Sequence, residues 1–454
     1  MNVQTRGGML AADSIGSLLM KLSLPAIISM FVQAMYNTVD TIFIGRWVGT
    51  LGIGAISLVL PIVFLIMAAC QAIGVGGASI ISRRMGAGDA DGVGRTFGNM
   101  TLLALLLGVG VQLAGLFAIT PLLRIFGASD TLLPLTWEYF RIIMLAGPLM
   151  TFAMTANNAV RAEGAAKMAM LTMMSGAVLN TILDPIFIYV LKMGIRGAAW
   201  ATVASMFLST VMLLLYFKSG RSEIPLGARY MRLKFFIIRE IAAVGSSAFV
   251  RVGAASITVA ILNHTLSYYE GDVGVATFGI IFRVLSFILM PVMGLSMGLQ
   301  PVVGFNYGAR SYSRVREAVK LGVMAATTVA ASGFLVIFLF PEAIVSVFSK
   351  DPLLMEYASN AIRLSMLALP VVGCHVVGTA FFQAIGKAAP ALMLTLCRQV
   401  LVVMPLILTI PRLCGAEYIW FAFPIADAVS FTLTTILVWR VLKKIPKIEA
   451  SSSA

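Results

Sequence analysis

The sequence predicts an all-α integral membrane protein with twelve transmembrane helices. They form two parallel six-helix lobes related by a pseudo-two-fold axis along the membrane normal. Three observations support this prediction. Of the 454 residues, 59% are hydrophobic and only 11% are charged, which is outside the usual range of soluble domains. Apolar runs longer than about 18 residues, the length that spans a bilayer as a helix, recur along the chain. The second half repeats the first at an offset of 222 residues, the separation of Arg141 and Arg363.

The apolar runs, taken in order, give the predicted helices. They lie near residues 16–44, 53–81, 94–119, 132–160, 168–190, 197–217, 239–268, 275–305, 316–340, 354–384, 389–411 and 418–441. The chain opens with the polar MNVQTRGG, without a short apolar segment followed by a small-residue cleavage site. We therefore expect no removable signal peptide, and the first helix should direct membrane insertion itself.

The distribution of basic residues predicts the orientation in the membrane. Of the 33 Lys and Arg residues, 22 fall in the terminal segments and in the loops after even-numbered helices, and only six fall in the opposite loops. Basic loops stay on the cytoplasmic side. Both termini should therefore be cytoplasmic, with Glu270 and Asp272 outside. We also expect the protein in the inner membrane of a prokaryotic cell. The net charge of +14 then reflects topology, and we expect no nucleic-acid partner.

The internal repeat defines the predicted domains. At the offset of 222 residues, the segment that begins FGASDTLLPLTWEYF at Phe126 aligns with FSKDPLLMEYASNAI at Phe348. Each half is thus one six-helix unit, and an even number of crossings gives both halves the same orientation. The predicted domains are an N-terminal lobe at 1–217, a polar cytoplasmic crossover at 218–238 and a C-terminal lobe at 239–454.

A polar stripe runs along the first helix. Gln33, Tyr36 or Asn37, and Asp40 follow helical spacing and so share one face. An isolated charge at bilayer depth costs about 2.5–3.5 kcal/mol even on the lenient insertion scale, so this face should line a water-filled cavity or meet a partner.

Helices 5 and 6 supply further oxygen ligands. Asn180 and Asp184 lie one turn apart, and Pro185 removes a backbone donor, which frees a carbonyl one turn earlier. Ala198 and Thr202 have the same spacing on helix 6. Such oxygen atoms suit a proton on a carboxylate or a small cation such as sodium. We expect Asp40 and Asp184 to share one cation-binding cavity, with Asn180 and Thr202 as further sodium ligands. Hydrogen bonding between helices is the alternative role for Asn180 and Thr202.

The second half lacks these acids. At the repeat offset, Asn180 aligns with Val402 and Asp184 with Leu406. If the acids served folding, both halves should carry them, so the asymmetry favours a functional role. Arg398 on helix 11 and Asp427 on helix 12 are interpreted as a structural charge pair, with a coupling role as the alternative.

A cavity for an organic substrate is predicted beside the acids. Met173 and Met206 could form an adaptable apolar wall, with lipid-facing positions as the alternative for methionine. The polar residues Gln33, Tyr36, Asn37 and Asn157 would complete the cavity. The four cysteines and two histidines form no CxxC pair or ligand cluster, so neither a disulfide framework nor a cofactor is expected.

Four segments together resemble the multidrug and toxin extrusion (MATE) family. They are YNTVDTIFIGRWVG, QAIGVGGASIISRRMGAGD, NTILDPIFIY and GAAWATVAS, and the resemblance covers essentially the whole chain. It implies antiport, in which organic, often cationic and amphipathic compounds leave the cell as protons or sodium ions enter. It also implies that the cation site lies in the N-terminal lobe, at Asp40, Asn180, Asp184, Ala198 and Thr202, next to the drug cavity. We expect small organic cations or drugs and membrane lipids as its partners, and we expect a monomer.

Two other classes of function were weighed against an exporter. A flippase for a lipid-linked precursor should line its cavity with cationic groups, whereas the first lobe offers acids and neutral polar groups. The flippase remains the alternative function. An intramembrane enzyme would need a nucleophile and base in register or a metal cluster, and the sequence shows neither.

Overall fold

The computed structural model describes residues 6–446 of the chain, and in that range it is helical with no strands. The helices of the first half are α1 Arg6–Ala12, α2 Ile15–Trp47, α3 Thr50–Gly86, α4 Ala90–Phe117, α5 Ile119–Ile125, α6 Leu133–Leu145, α7 Gly147–Ala162, α8 Ala166–Pro185 and α9 Ile195–Lys218. Those of the second half are α10 Phe235–Gly308, α11 Tyr312–Leu339, α12 Pro341–Ser346, α13 Pro352–Ser365, α14 Leu369–Ala384, α15 Ala388–Leu396, α16 Met404–Leu413 and α17 Ala422–Lys444. Short π-helical turns follow α8 at Ile186–Val190 and join α15 to α16 at Cys397–Val403.

Within the described residues, nine helical segments are long and apolar enough to cross a membrane, and two bent pairs raise the number to eleven. One of the nine is the 74-residue α10, which contains a break at Gly271, where φ is 63° and ψ is −148°. This break falls in the predicted loop between helices 7 and 8. The two parts of α10 thus correspond to two of the twelve predicted spans.

The fourth and tenth spans are bent, although the sequence predicted each of them as one continuous helix. α6 meets α7 at 56°, and α13 meets α14 at 50°. Pro148 and Pro370 lie in the first turns of α7 and α14, where a proline fits because its missing N–H has no helical partner. The two prolines are one repeat apart, so both halves bend at the same place.

The chain forms two compact units. The first contains the described residues up to Ala12 and Ile28–Gly245, and the second contains Asp13–Ile27 and the described residues from Ser246 onward. The boundary therefore falls inside α2 and inside α10. In the first unit, α3, α4 and α7 pack around a core that includes Ile81, Phe97 and Val160.

Candidate cation site in the first unit

The polar stripe of α2 divides into an exposed and a half-buried part. Gln33 and Asn37 are exposed, and Gln33 Nε2 donates to Asn37 Oδ1 at 3.4 Å. Tyr36 and Asp40 are half-buried. The next residue of the stripe, Ile44, is fully buried against Ile188 and Ala198. The half-buried part of the stripe therefore lies against the helices that carry the second acid.

Asp40 and Asp184 meet in the structure. Their carboxyl groups lie within hydrogen-bonding range of each other, and Asp184 is completely buried. A carboxylate only accepts hydrogen bonds, so this contact requires a proton on one of the two groups or a cation between them. One oxygen of each group, Oδ1, is buried and has no hydrogen-bond partner within residues 6–446. A cation at this position would satisfy these two oxygens, for which the described residues supply no hydrogen-bond donor.

Neutral polar groups surround the two acids. The hydrogen-bond network orients the Asn180 amide so that its Nδ2 donates to Asp184 Oδ2 at 2.9 Å and its Oδ1 accepts from the Thr202 N–H at 3.2 Å. The Tyr36 hydroxyl lies close to the Thr202 side chain. Ala198 contributes only its carbonyl oxygen, which accepts from Thr202 Oγ1 at 3.0 Å. The structure thus brings together all five residues of the predicted cation site.

Tyr139 on α6 is a member of the site that the sequence analysis did not identify. Its ring packs against the cluster of Ile44, Ile188 and Ala198, and its hydroxyl lies within electrostatic range of Tyr36, Asp40 and Asp184. An aromatic residue inside an apolar helix is common, so the sequence carried no signal that could distinguish it.

The local backbone at Asp184 is unusual. Pro185 ends the α-helical hydrogen bonding of α8, and the chain continues as a π-helical turn over Ile186–Val190. Such turns insert an extra residue and often occur at functional sites. Among the described residues, neither Asp40 nor Asp184 forms an ion pair with a Lys or Arg. The pair of acids is therefore not compensated by fixed positive charge.

The predicted cavity residues lie in different environments. Asn157 is buried, and its Nδ2 donates to the Ala169 carbonyl at 3.0 Å and to Thr172 Oγ1 at 2.9 Å. It thus connects α7 to α8, while its Oδ1 has no hydrogen-bond partner in the described part of the chain. Met173 and Met206 are half-buried, and Met206 packs on the cluster that contains Cys70 and Met150. Asn157 is therefore a link between helices in this structure.

The second unit carries the charge pair that the sequence indicated. Arg398 Nε donates to Asp427 Oδ1 at 2.6 Å, and Arg398 Nη1 donates to Gln399 Oε1 at 3.4 Å. Arg398 lies in the π-helical turn between α15 and α16. Asp427, unlike Asp40 and Asp184, is neutralised by a basic side chain.

The site offers few charged ligands for a metal ion. Within residues 6–446, no group of three or more His, Cys, Asp or Glu side chains is placed to hold a metal ion. Two carboxyls with amide and hydroxyl groups suit a monovalent cation or a proton, which require less ligand charge than a divalent ion.

Comparison with known proteins gives the family. The family model described as MatE matches residues 25–186 and 247–409, which is most of the chain. The chain belongs to the MATE family. It is similar to the multidrug export protein MepA of Staphylococcus haemolyticus, with 27% identity over 97% of this chain and 96% of that protein.

Solved structures of the family extend this result to the fold. The MATE multidrug transporter DinF-BH, solved in complex with R6G, is 38% identical, with a TM-score of 0.89 over 97% of this chain and 98% of that one. A MATE transporter in an outward-facing conformation is 27% identical, with a TM-score of 0.91 over 98% of this chain and 100% of that one. These transporters have twelve helices in two lobes. The predicted fold is thus confirmed, and the chain is a multi-pass membrane transporter and not an enzyme.

Proposed function

We propose that this transporter is a multidrug efflux antiporter, which exports organic, often cationic and amphipathic compounds in exchange for inward protons or sodium ions. The observation that carries the proposal is the contact of Asp40 with Asp184 inside membrane-spanning helices, with one unpartnered oxygen on each. The names of MepA and of the DinF-BH structure support the drug substrates.

The arrangement of the acids explains how two cations could compete. Two adjacent carboxylates repel each other, so the pair gains free energy from one proton or one sodium ion. Asp184 is fully buried, whereas Asp40 is half-buried. Asp40 is therefore the acid that an organic cation can reach. When a proton or sodium ion neutralises the pair, the attraction for an organic cation falls.

The same site could couple cation binding to the conformation of α2. The Asp40–Asp184 contact joins α2 to α8, and α2 contains Pro25 two turns before the polar stripe. A proline inside a helix removes one hydrogen bond and permits a bend. Cation binding at Asp40 would thus change the packing or bend of α2 and weaken substrate binding in the outward-facing state.

The membrane potential sets the scale of the coupling. An inward-moving cation gains about 2.3 kcal/mol per 100 mV for each net charge. This free energy supports about a fifty-fold substrate gradient where the charge of the substrate does not cancel it.

The remaining parts of the proposal concern topology and assembly. Both termini and the crossover at 218–238 lie in the cytoplasm, the protein is located in the bacterial inner membrane, and it functions as a monomer. The excess of basic residues in these segments supports this orientation.

The test is transport by purified protein in proteoliposomes under separately imposed proton and sodium gradients. A fluorescent organic cation should accumulate against its gradient when one of the two ions runs down its own gradient, and the ion that drives it identifies the coupling cation. If neither gradient drives flux of any cationic dye in a correctly folded preparation, the antiport proposal is wrong.

A further inference from the structure

The segment at residues 226–236, which we call the platform, leads into α10 and exposes both apolar and basic side chains. It contains a short 3₁₀ helix at Ala228–Tyr230 and ends in the first turn of α10. All of its side chains are exposed except that of Tyr230. Tyr230 is therefore the platform residue that packs in the protein interior, and the other apolar side chains of the platform face outward.

The platform is held rigidly by α4. The Tyr230 ring lies so close to Gly94, and the Tyr230 carbonyl so close to Gly98, that a Cβ at these positions would meet them at 2.9 and 2.2 Å. Asn99, which is fully buried, accepts from the Lys234 N–H at 2.8 Å and donates to the Arg232 carbonyl at 3.1 Å. These contacts fix the backbone, so the exposed side chains have defined positions.

Large apolar side chains project from this fixed backbone. Phe235 and Phe236 are 79% and 72% exposed, and Leu226, Met231 and Leu233 are each close to half exposed. Such a cluster at the surface of a soluble protein would mark an interaction site. Here it lies at the start of a helix that is long and apolar enough to cross a membrane, where we expect lipid headgroups to meet acyl chains.

Basic side chains alternate with the apolar ones. Arg229, Arg232 and Lys234 are exposed, and none of them forms an ion pair within the described part of the chain. The two nearby acids are already engaged. Glu223 accepts from the backbone N–H groups of α1, and Glu240 pairs with Arg83 at 2.8 Å. The platform is therefore positively charged as well as apolar.

We propose that the platform is a docking surface for anionic phospholipid, with Arg232 and Lys234 on the headgroup phosphates and Phe235 and Phe236 among the acyl chains. Basic and aromatic side chains at the end of a membrane span provide the electrostatic and apolar contributions that such binding needs. With the topology proposed above, the lipid belongs to the cytoplasmic leaflet. Because Asn99 and Tyr230 fix the platform to α4, bound lipid would hold this corner of the first unit at the membrane surface.

The test compares two double variants of the full-length protein. Arg232→Gln with Lys234→Gln changes the platform but keeps its backbone hydrogen bonds to Asn99. Lys192→Gln with Lys350→Gln removes the same charge from exposed positions in two loops that the sequence predicts on the opposite side of the membrane. Binding of phosphatidylglycerol and phosphatidylcholine to each purified protein is measured by native mass spectrometry. Each basic residue near an anionic surface contributes about a fivefold affinity, so the platform variant should bind phosphatidylglycerol on the order of 25-fold more weakly, and the control should match the wild type.

A second measurement uses a probe on the platform itself. Leu233→Cys, in a chain without its four native cysteines, carries an environment-sensitive fluorophore in nanodiscs of phosphatidylcholine alone or with 30% phosphatidylglycerol. The probe should enter a less polar environment with the anionic lipid, and raised salt should reverse the change. The proposal is wrong if the probe does not respond, if the two double variants lose phosphatidylglycerol equally, or if millimolar glycerol phosphate displaces the lipid, which would indicate a site for free phosphate.

Discussion

Replacement of Asp184 by Asn should abolish coupled transport while the protein stays folded. Asn has the same size and can still accept the hydrogen bond from Asn180 Nδ2 at 2.9 Å. The folded protein therefore loses no packing, and the hydrogen-bond change is worth about 1 kcal/mol or less. The change does remove one of the two carboxyl groups that would hold the cation. It also removes the repulsion between the two carboxylates, which favours the binding of a cation.

The expected magnitude follows from the coupling energy. At 100 mV, the wild type can use about 2.3 kcal/mol per net charge, equal to about a fifty-fold dye gradient. The Asp184→Asn variant should reach a ratio near one, because it has no coupled cation. The assay is dye accumulation in proteoliposomes under imposed proton or sodium gradients, with the melting temperature as a check of folding.

The matched control is Asp130→Asn. Asp130 lies in the loop after α5, its side chain is 91% exposed, and among the described residues its ion pair is with Arg124 of α5. Its replacement should therefore leave both accumulation and melting temperature unchanged. If Asp184→Asn accumulates dye to the wild-type ratio, Asp184 does not take part in coupling. A variant that melts far below the wild type would instead show that this acid serves folding.

Three further predictions concern other parts of the molecule. Asp427→Asn leaves the Arg398 charge without its partner, which costs about 3 kcal/mol or more for a buried pair. It should therefore lower the yield and melting temperature, and a stable but inactive variant would assign coupling to the second unit. Tyr139→Phe keeps the ring that packs on Ala198 but loses one hydroxyl, worth about 1 kcal/mol. It should change the cation concentration for half-maximal dye release by about fivefold, and an unchanged midpoint would exclude the hydroxyl from the site. Burial raises the pKa of Glu163, although Tyr216, Arg6, Ser222 and the Glu223 N–H oppose this shift. The folded state thus holds the proton more tightly than the unfolded chain, so stability should fall as pH rises through the raised pKa. The melting temperature of the wild type should drop relative to that of Glu163→Gln, and parallel pH profiles would contradict this reasoning.

The sequence was sufficient for the parts of the fold that depend on long apolar runs. Hydropathy located the spans, and the pair Arg141 and Arg363 revealed the repeat. Hydropathy could not predict the bends of the fourth and tenth spans, because Pro148 and Pro370 lie inside continuous apolar runs and only tertiary packing fixes the angle. The short helices α5 and α12 were not predicted, because each is too short to give a periodic signal.

The candidate site shows the same limit. The sequence identified Asp40 and Asp184 separately, because a charged side chain at bilayer depth has a high free energy unless it has a partner or contacts water. Their direct contact depends on how α2 packs on α8, which a single sequence does not encode in any local pattern. Tyr139 was missed because its hydroxyl matters only through that packing. Polarity alone could not show that the Asn157 amide, which is predicted to line the cavity, also links α7 to α8.

Competition between cations at Asp40 is the central claim of this account, and dye binding to the purified protein tests it most directly. Binding of a fluorescent organic cation is measured against pH and sodium concentration, in the wild type and in Asp40→Asn. The wild type should release dye as protons or sodium ions increase, and Asp40→Asn should respond to neither. If the variant keeps the full wild-type response, Asp40 is not part of the coupling site, and the proposed mechanism is wrong.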